Sequence, residues 1–307
     1  MQTLQIIMKK KIIYSLSSNK DLARKISRAE KAELGRVSID HFADGEILVK
    51  TLSDVKNKDV TIVESTAKNA HERLFELLLL IDSIKRGKPH SINLYIPYFG
   101  YSRQERVSWI NEPISCQVVA NILDTAKVDK ILTFDLHHPD IKKFFKTKFV
   151  SIPTASLFGK YYREYIRKHK INLKDVVVVS PDHGSNTRAD QLVKELPGSK
   201  KVILNKHRPA PNFVEHLEIN NKNISGKTCI IVDDIIDTGG TIVSATNLLY
   251  KYGAKDVLAC ASHAVLSGNS VNKLLNANIS DLVFTNSIET DLVKSIKIID
   301  ISSLIEL

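Results

Sequence analysis

The sequence has few of the residues that cross-link a chain or anchor it in a membrane. Its 307 residues include three cysteines, one tryptophan and two methionines. Cys116, Cys229 and Cys260 are far apart and lack the CxxC spacing of zinc and redox sites, so we expect buried free thiols. No apolar run approaches the roughly 20 residues that span a bilayer, which excludes a membrane-spanning helix.

The first residues do not have the order of a secretory signal. Residues 1–8 are mildly apolar and three lysines follow them at 9–11, whereas a signal carries its positive charge before the apolar segment. Because the cysteines also point to a reducing compartment, we expect a cytoplasmic protein with no membrane partner.

Positive charge is in excess, with 44 Lys and Arg against 34 Asp and Glu. Such an excess can indicate a nucleic-acid-binding protein. The basic residues are spread along the chain, however, and lysine on the outer faces of amphipathic helices accounts for them more simply. An enzyme with anionic substrates would also benefit from positive potential. We therefore expect no nucleic-acid partner.

Short β-rich runs alternate with amphipathic helical patterns, as in parallel sheets covered by helices. Strands are predicted at 12–16, 60–64, 92–96, 131–135, 176–179, 202–204, 230–232, 257–261 and 282–284. Helices are predicted at 70–85, 115–125, 156–169, 186–196 and 241–252. The pattern predicts an α/β protein with two doubly wound domains and mainly parallel sheets, at 1–152 and 153–290, and a C-terminal segment (291–307) that packs back on the first domain.

The most informative segment is 229–241 (CIIVDDIIDTGGT), where an apolar strand ends at Asp233 and Asp234 and a loop opens the next helix. Ligands of open α/β sheets bind beyond the carboxyl ends of strands. Glycine N–H groups, threonine hydroxyls and the helix N-terminus together suit an anion. The two aspartates suit sugar hydroxyls or a hydrated Mg²⁺. The loop consists of Asp237, Thr238, Gly239, Gly240 and Thr241. A simple helix N-cap accounts for one of these residues but not for the whole arrangement.

This segment resembles the motif that binds phosphoribosyl diphosphate (PRPP) in phosphoribosyltransferases and in ribose-phosphate diphosphokinases (PRPP synthetases). The resemblance implies that Asp233 and Asp234 hold ribose hydroxyls, that loop 237–241 holds the 5-phosphate, and that both domains are phosphoribosyltransferase-like.

Two segments of the first half resemble PRPP synthetases specifically. Residues 42–46 (FADGE) resemble an adenine-contacting segment, which implies that Phe42 stacks on the base while Asp44 and Glu46 accept from its amine. Residues 95–106 (YIPYFGYSRQER) resemble a segment in which Arg103 and Gln104 hold ATP, and a guanidinium fork suits its phosphates. Without this context the first string is an ordinary turn, and the second is a strand end with a surface arginine.

The resemblance also supplies candidates for the metal. It places His137, after a strand, near metal and phosphates, although a lone histidine there is more often structural. Segment 180–185 (SPDHGS) implies that Asp182 contacts ribose phosphate or its metal, and Ser185 replaces a glycine of the family pattern. Arg188 could bind phosphate or form a surface ion pair. His138 replaces a small residue, so the roles of the two neighbouring rings stay open.

Residues 206–212 (KHRPAPN) resemble the flexible catalytic loop of the family. Lys206 and Arg208 match the two basic residues that stabilise the transferring group. His207 and Ala210 remove two positive charges from the usual pattern, which is expected to lower the rate or change ATP affinity. A proline-rich connection without chemistry is the alternative.

The resemblance covers nearly the whole chain and implies an enzyme that makes PRPP and AMP from ATP and ribose 5-phosphate with Mg²⁺ as cofactor. Residues 1–152 would be the ATP side. The family's active sites lie between the domains and borrow the Phe42 segment of a neighbouring subunit. A homo-oligomer, usually a hexamer, is therefore expected.

Two departures concern regulation. Residues 107–111 (VSWIN) replace several basic residues, which leaves Trp109 without an assigned role, and the sequence stops at Leu307, where relatives continue with a tail of the regulatory site. We expect phosphate activation and ADP inhibition to be weakened. Cooperative ADP inhibition at saturating ribose 5-phosphate would contradict this.

Two other classes remain as alternatives besides a nucleic-acid-binding protein. A phosphoribosyltransferase would need a base pocket and no ATP site, which the Arg103-Gln104 string argues against. A non-catalytic regulatory relative would have lost the loop cations, yet Lys206 and Arg208 are present.

Overall fold

The computed structural model describes residues 10–207, 216–219, 224–290 and 293–305. The chain forms two compact units. The first comprises Met1–Ile152, Ser287–Glu289 and Ser302–Leu307, and the second comprises Pro153–Asn286 and Thr290–Ile301. None of the helices in the described part of the chain is long and apolar enough to cross a membrane.

The first unit is built on a six-stranded, wholly parallel sheet with the order β2-β1-β5-β6-β7-β8, beside a separate hairpin of β3 and β4. The strands are β1 (Lys11–Ser15), β2 (Glu33–Leu34), β3 (Val37–His41), β4 (Ile47–Thr51), β5 (Asp59–Val63), β6 (Ser91–Tyr95), β7 (Lys130–Phe134) and β8 (Lys148–Ile152). The helices are α1 (Lys20–Ala29), α2 (Ala70–Arg86) and α3 (Ser115–Thr125), and a short 3₁₀ helix spans Pro139–Phe144.

The second unit is built on a seven-stranded sheet with the order β11-β10-β9-β12-β13-β14-β15, in which the β10–β11 pair alone is antiparallel among the described strands. The strands are β9 (Val176–Ser180), β10 (Lys200–His207), β11 (His216–Ile219), β12 (Thr228–Ile236), β13 (Asp256–Ala264), β14 (Asp281–Thr285) and β15 (Lys297–Ile299). The helices are α4 (Ala155–Lys168), α5 (Asn186–Glu195), α6 (Gly240–Lys251) and α7 (Ser270–Asn276).

Both faces of the second sheet are buried, which explains its continuous apolar strands. Along β9, Val177 packs with the α6 side of the core, while the next residue, Val178, packs with the α4 and α5 side. Ile231 and Ile230 of the neighbouring β12 divide in the same way. Because successive side chains of a strand point to opposite faces, a strand covered on both sides must be apolar at every position.

The predicted fold class is confirmed: mainly parallel sheets are covered by helices. All nine predicted strands and all five predicted helices are present, most within one or two residues of the expected bounds. The three cysteines are buried and free, as predicted. The amphipathic α1 was missed, and so was the β3–β4 hairpin, whose only strongly buried side chain is Val49.

One strand end was wrong in a way that matters for function. The apolar run predicted that β12 ends at 232, with Asp233 and Asp234 following it. The strand instead continues to Ile236, because its pairing with β13 extends as far as Ile236 opposite Ala264. The two aspartates therefore lie within a paired strand, just beyond the last residue that pairs with β9, Ile231.

A buried acidic cluster lies at the carboxyl end of β5. Glu64 Oε2 accepts hydrogen bonds from the backbone N–H groups of Leu16 and Ser18, both at 3.2 Å. Arg73 Nη1 donates to both carboxylate oxygens of Glu76 at 3.3 Å, and Arg73 Nε lies 3.9 Å from Glu64 Oε1. One guanidinium thus faces two buried carboxylates. Burial raises the pKa of Glu64 to about 8, because its charged form loses hydration.

We expect Glu64→Gln to stabilise the protein at alkaline pH. A carboxyl group whose pKa is raised on folding leaves stability intact below its ordinary pKa and reduces it as pH rises toward the folded value of about 8. The slope is at most about 1.4 kcal/mol per pH unit. Melting temperatures from pH 5 to 9 should therefore fall less steeply for Glu64→Gln than for the wild type.

Glu164→Gln, at an exposed position of α4, is the matched control and should leave the pH profile of the melting temperature unchanged. Parallel profiles for the wild type and Glu64→Gln would show that Glu64 does not carry this pH dependence.

Candidate active site

Two loops of the first unit leave the sheet at the same edge. Strands β6 and β7 are parallel neighbours, and their carboxyl ends are therefore adjacent. Arg103 and Gln104 follow β6, and His137 follows β7. The topology thus brings these three predicted residues to one edge of one sheet, the edge where α/β proteins bind ligands.

The turn that precedes Arg103 is held by two hydroxyl groups. The N–H of Tyr98 donates to Ser65 Oγ at 3.1 Å, and the N–H of Gly100 donates to Thr66 Oγ1 at 2.7 Å. A Cβ on Gly100 would lie 2.4 Å from the carbonyl oxygen of Thr66, which leaves no space for any other residue. Ser65 and Thr66 therefore fix the backbone at the start of the predicted ATP-binding segment.

Gln104 is fixed against the first turn of α3. Its side-chain Oε1 accepts from Ser115 Oγ at 2.6 Å, and its carbonyl accepts from the N–H of Cys116 at 3.2 Å. Tyr101, three residues before it, has a positive φ of 62°, which is unusual for a bulky residue and typical of functional loops. The Arg103 side chain between them is exposed.

The second loop is strained at Asp135, which has a φ of 33° directly after β7. The N–H of Leu136 donates to Ser151 Oγ at 3.2 Å, which ties this loop to β8. His138 Nδ1 accepts from the N–H of Asp140 at 3.3 Å and so caps the 3₁₀ helix that follows. Of the two neighbouring rings, His138 therefore has a structural role in this arrangement.

Phe42, Asp44 and Glu46 belong to a different sheet from the strands that precede Arg103 and His137. They form the tip of the β3–β4 hairpin, which is a separate sheet that packs on α2. The tip is a tight turn in which Gly45 has a φ of 94° and the N–H of Glu46 donates to Asp44 Oδ1 at 3.1 Å. Phe42 is 55% exposed. The alternative interpretation of FADGE as a turn is thus correct for its backbone, and the turn presents an aromatic ring to solvent.

In the second unit, hydrogen bonds connect acidic residues from two separate segments of the sequence. Ser185 donates through Oγ to Asp233 Oδ1 at 2.5 Å and through its N–H to Asp182 Oδ1 at 3.1 Å. Arg188 Nη2 lies 3.4 Å from Asp234 Oδ2, and both side chains are largely buried. Arg188 was expected to contact phosphate or a surface carboxylate, and its observed partner is instead a residue of the motif.

Burial and repulsion act together on Asp233. Loss of hydration and the adjacent charge of Asp234 raise its pKa well above the ordinary value for an aspartate, although the hydrogen bond from Ser185 opposes the rise. Two neighbouring carboxyl groups suit cations or hydrogen-bond donors, and sugar hydroxyls are such donors.

The predicted anion loop opens α6. Gly239 is the N-cap and has a φ of 76°, a left-handed conformation that glycine adopts without strain. Because the cap residue has no side chain, the first N–H groups of α6 are not covered by a capping oxygen of their own residue. Thr238 and Gly240 are exposed beside it. The geometry is that of an anion site at a helix N-terminus.

The predicted catalytic residues are only partly described. The backbone of Lys206 lies in β10, opposite Leu217 of β11. Arg208 lies outside the described residues. Their roles therefore stay predictions. In the described part of the chain, no group of three or more His, Cys, Asp or Glu side chains could hold a metal ion by itself.

Comparisons with known proteins place the chain in a family. Residues 11–126 match the model of the N-terminal domain of ribose phosphate pyrophosphokinase, and residues 154–285 match that of the phosphoribosyl transferase domain. The fold and the loop that opens α6 are thus of the phosphoribosyltransferase class.

The similarity extends over most of the chain. The ribose-phosphate pyrophosphokinase of Bacillus cereus is 42% identical over 276 residues, which are 90% of this chain and 84% of that protein. That of Bacillus subtilis is 41% identical over 277 residues, 90% and 85% of the two chains. The crystal structure of phosphoribosylpyrophosphate synthetase from Mycobacterium smegmatis has a TM-score of 0.88 and 31% identity, and covers 96% of both chains. The chain belongs to the ribose-phosphate pyrophosphokinase family.

We expect Gly239→Ala to weaken binding of ribose 5-phosphate by the second unit. Alanine would be strained in the left-handed backbone of this position, and its Cβ would lie 3.2 Å from the Leu274 side chain, so the loop or Leu274 must shift slightly. Gly226→Ala is a matched control, because Gly226 has a φ of 71° in open space. Each variant should lose about 1–2 kcal/mol of stability.

Isothermal titration calorimetry should show weaker binding for Gly239→Ala alone. Equal affinities of the two variants for ribose 5-phosphate would exclude the loop as its phosphate site.

Proposed function

We propose that the chain is a ribose-phosphate diphosphokinase that transfers the diphosphoryl group of ATP to the C1 hydroxyl of ribose 5-phosphate, with PRPP and AMP as products. One observation carries the proposal. Asp182, Asp233 and Asp234 are joined through Ser185 and Arg188 beside the loop that opens α6. Most of the chain also aligns with proteins named ribose-phosphate pyrophosphokinase.

The reaction requires positioning more than covalent help from the protein. The C1 oxygen attacks the β-phosphorus, the bond from that phosphorus to the α–β bridging oxygen breaks, AMP leaves with the bond electrons, and the hydroxyl proton is released. Rate then depends on in-line alignment and on cations that match the charge on the transferring oxygens.

We assign the binding of ribose 5-phosphate to the second unit. Asp233 and Asp234 accept from its 2- and 3-hydroxyl groups. The 5-phosphate is held by Asp237, Thr238, Gly239, Gly240 and Thr241. Support comes from the left-handed Gly239 at the start of α6, and from the paired carboxyl groups, which would repel a phosphate but suit hydroxyl donors.

We assign the binding of ATP to the first unit. Arg103 and Gln104 hold ATP phosphates and orient the nucleotide, and Phe42, Asp44 and Glu46 contact adenine. Lys206 and Arg208 stabilise the transferring group. The fixed Gln104 and the exposed Phe42 ring support the first two assignments, while those of Lys206 and Arg208 depend on the sequence alone.

Mg²⁺ is the proposed cofactor, with His137 and Asp182 as its protein ligands. Mg²⁺ usually keeps several waters and is bound through one or two carboxylates and substrate phosphates. When bound, Mg²⁺ would neutralise charge on the phosphates.

A direct assay tests the function. Incubation with ATP, Mg²⁺ and ribose 5-phosphate should yield AMP and PRPP in equal amounts. Lys206→Ala should lower kcat on the order of 10²–10³-fold, as for a lost charge-stabilising group. Lys200→Ala, at the exposed start of the same strand, is the control and should keep full activity. ADP as the product, or no AMP from the wild type, would exclude the proposal.

We also propose that the active protein is a homo-oligomer, with a hexamer as the expected size, in which the hairpin tip serves a neighbouring subunit. The exposure of Phe42 on a hairpin outside the six-stranded sheet supports this. Phe42→Ala and Asp233→Asn variants should each be nearly inactive, but mixing them after dissociation and reassembly should restore part of the activity.

Light scattering should show the same mass for both variants and the wild type. Variants that assemble yet never complement one another would show that each subunit uses its own hairpin.

A further inference from the structure

We infer that Ser185 is a positioning residue that orients the sugar-binding carboxylate of Asp233, an inference that rests on the proposed function. Ser185 is the N-cap of α5, where a serine hydroxyl ordinarily accepts a hydrogen bond from the first turn of the helix. Here the side chain makes no capping bond. Its Oγ donates instead to Asp233 Oδ1 at 2.5 Å.

The hydroxyl is well placed to fix that carboxylate. Ser185 is 2% exposed, so water does not compete effectively for its hydrogen bond. Asp233 Oδ1 also accepts from the N–H of Asp234 at 2.9 Å. Two donors on one oxygen set the plane of the carboxylate. They therefore also set the direction in which its second oxygen meets a sugar hydroxyl.

Ser185 also connects two strands that pair only up to Ile231. Its N–H donates to Asp182 Oδ1 at 3.1 Å, in the loop after β9, while its hydroxyl reaches β12. Arg188, one turn further along α5, forms the ion pair with Asp234. The first turn of α5 thus contacts both aspartates, and loss of the Ser185 hydroxyl removes a donor from Asp233 while the ion pair of Arg188 with Asp234 stays in place.

A purely structural role makes a different prediction. If Ser185 served only to cap α5, its replacement would destabilise the unit and affect both substrates equally. Because its oxygen donates to Asp233 and makes no capping bond, Ser185→Ala should lower the melting temperature by no more than the loss of one hydrogen bond does. The effect on substrate affinity should be confined to the substrate from whose hydroxyl groups Asp233 accepts.

The test compares KM for the two substrates in Ser185→Ala and Ser185→Gly. Both variants should raise KM for ribose 5-phosphate about tenfold, the scale of a single hydrogen bond, and leave KM for ATP within about twofold. Ser185→Thr, which keeps the hydroxyl, should restore a KM close to that of the wild type. Ser199→Ala removes a buried hydroxyl that makes no hydrogen bond with the described residues, and it should change neither KM.

A second measurement isolates the contact. In an Asp233→Ala background, Ser185→Ala should cause no further loss of affinity for ribose 5-phosphate in calorimetry. Unchanged KM values in Ser185→Ala, equal increases for both substrates, or additive losses with Asp233→Ala would each overturn the inference.

The two proposals fail in different ways. A wild type that binds ribose 5-phosphate but makes no PRPP contradicts the proposed function, while the calorimetric comparison still decides the role of Ser185. A wild type that binds no ribose 5-phosphate overturns both.

Discussion

Repulsion between two neighbouring carboxyl groups is the constraint around which the second unit is arranged. Asp233 and Asp234 are consecutive in a paired strand, and Asp234 is buried. The first turn of α5 supplies two partners, the Ser185 hydroxyl for one and the Arg188 guanidinium for the other.

In the first unit, hydrogen bonds from neighbouring residues fix the loops of the candidate site. Parallel strands bring successive loops to one edge, where Arg103, Gln104 and His137 follow neighbouring strands. Backbone strain at Tyr101 and Asp135 lies in these loops. Hydroxyl and amide contacts hold these segments in place. Preorganisation of this kind suits a reaction that depends on alignment and electrostatics rather than on a protein nucleophile.

Much of this was predictable from the sequence, because buried parallel strands are continuous apolar runs and the composition of the DTGGT loop suits an anion at a helix N-terminus. The sequence could not show that β12 extends to Ile236, since the aspartates and isoleucines there fit a loop as well as a strand. Nor could it show that the Ser185 hydroxyl turns away from its own helix, because this depends on Asp233, which is 48 positions along the chain. The positive φ of Tyr101 and of Asp135 was also missed, since tyrosine does not signal it and aspartate signals it less strongly than glycine.

The most direct test of the account follows the β-phosphorus of ATP. The wild-type protein would be incubated with ATP labelled at that position, ribose 5-phosphate and Mg²⁺, and the products would be separated. Transfer of an intact diphosphoryl group predicts that the label appears in PRPP and that the AMP formed carries none. Label recovered in ADP, with only the γ-phosphate passed to the sugar, would contradict it.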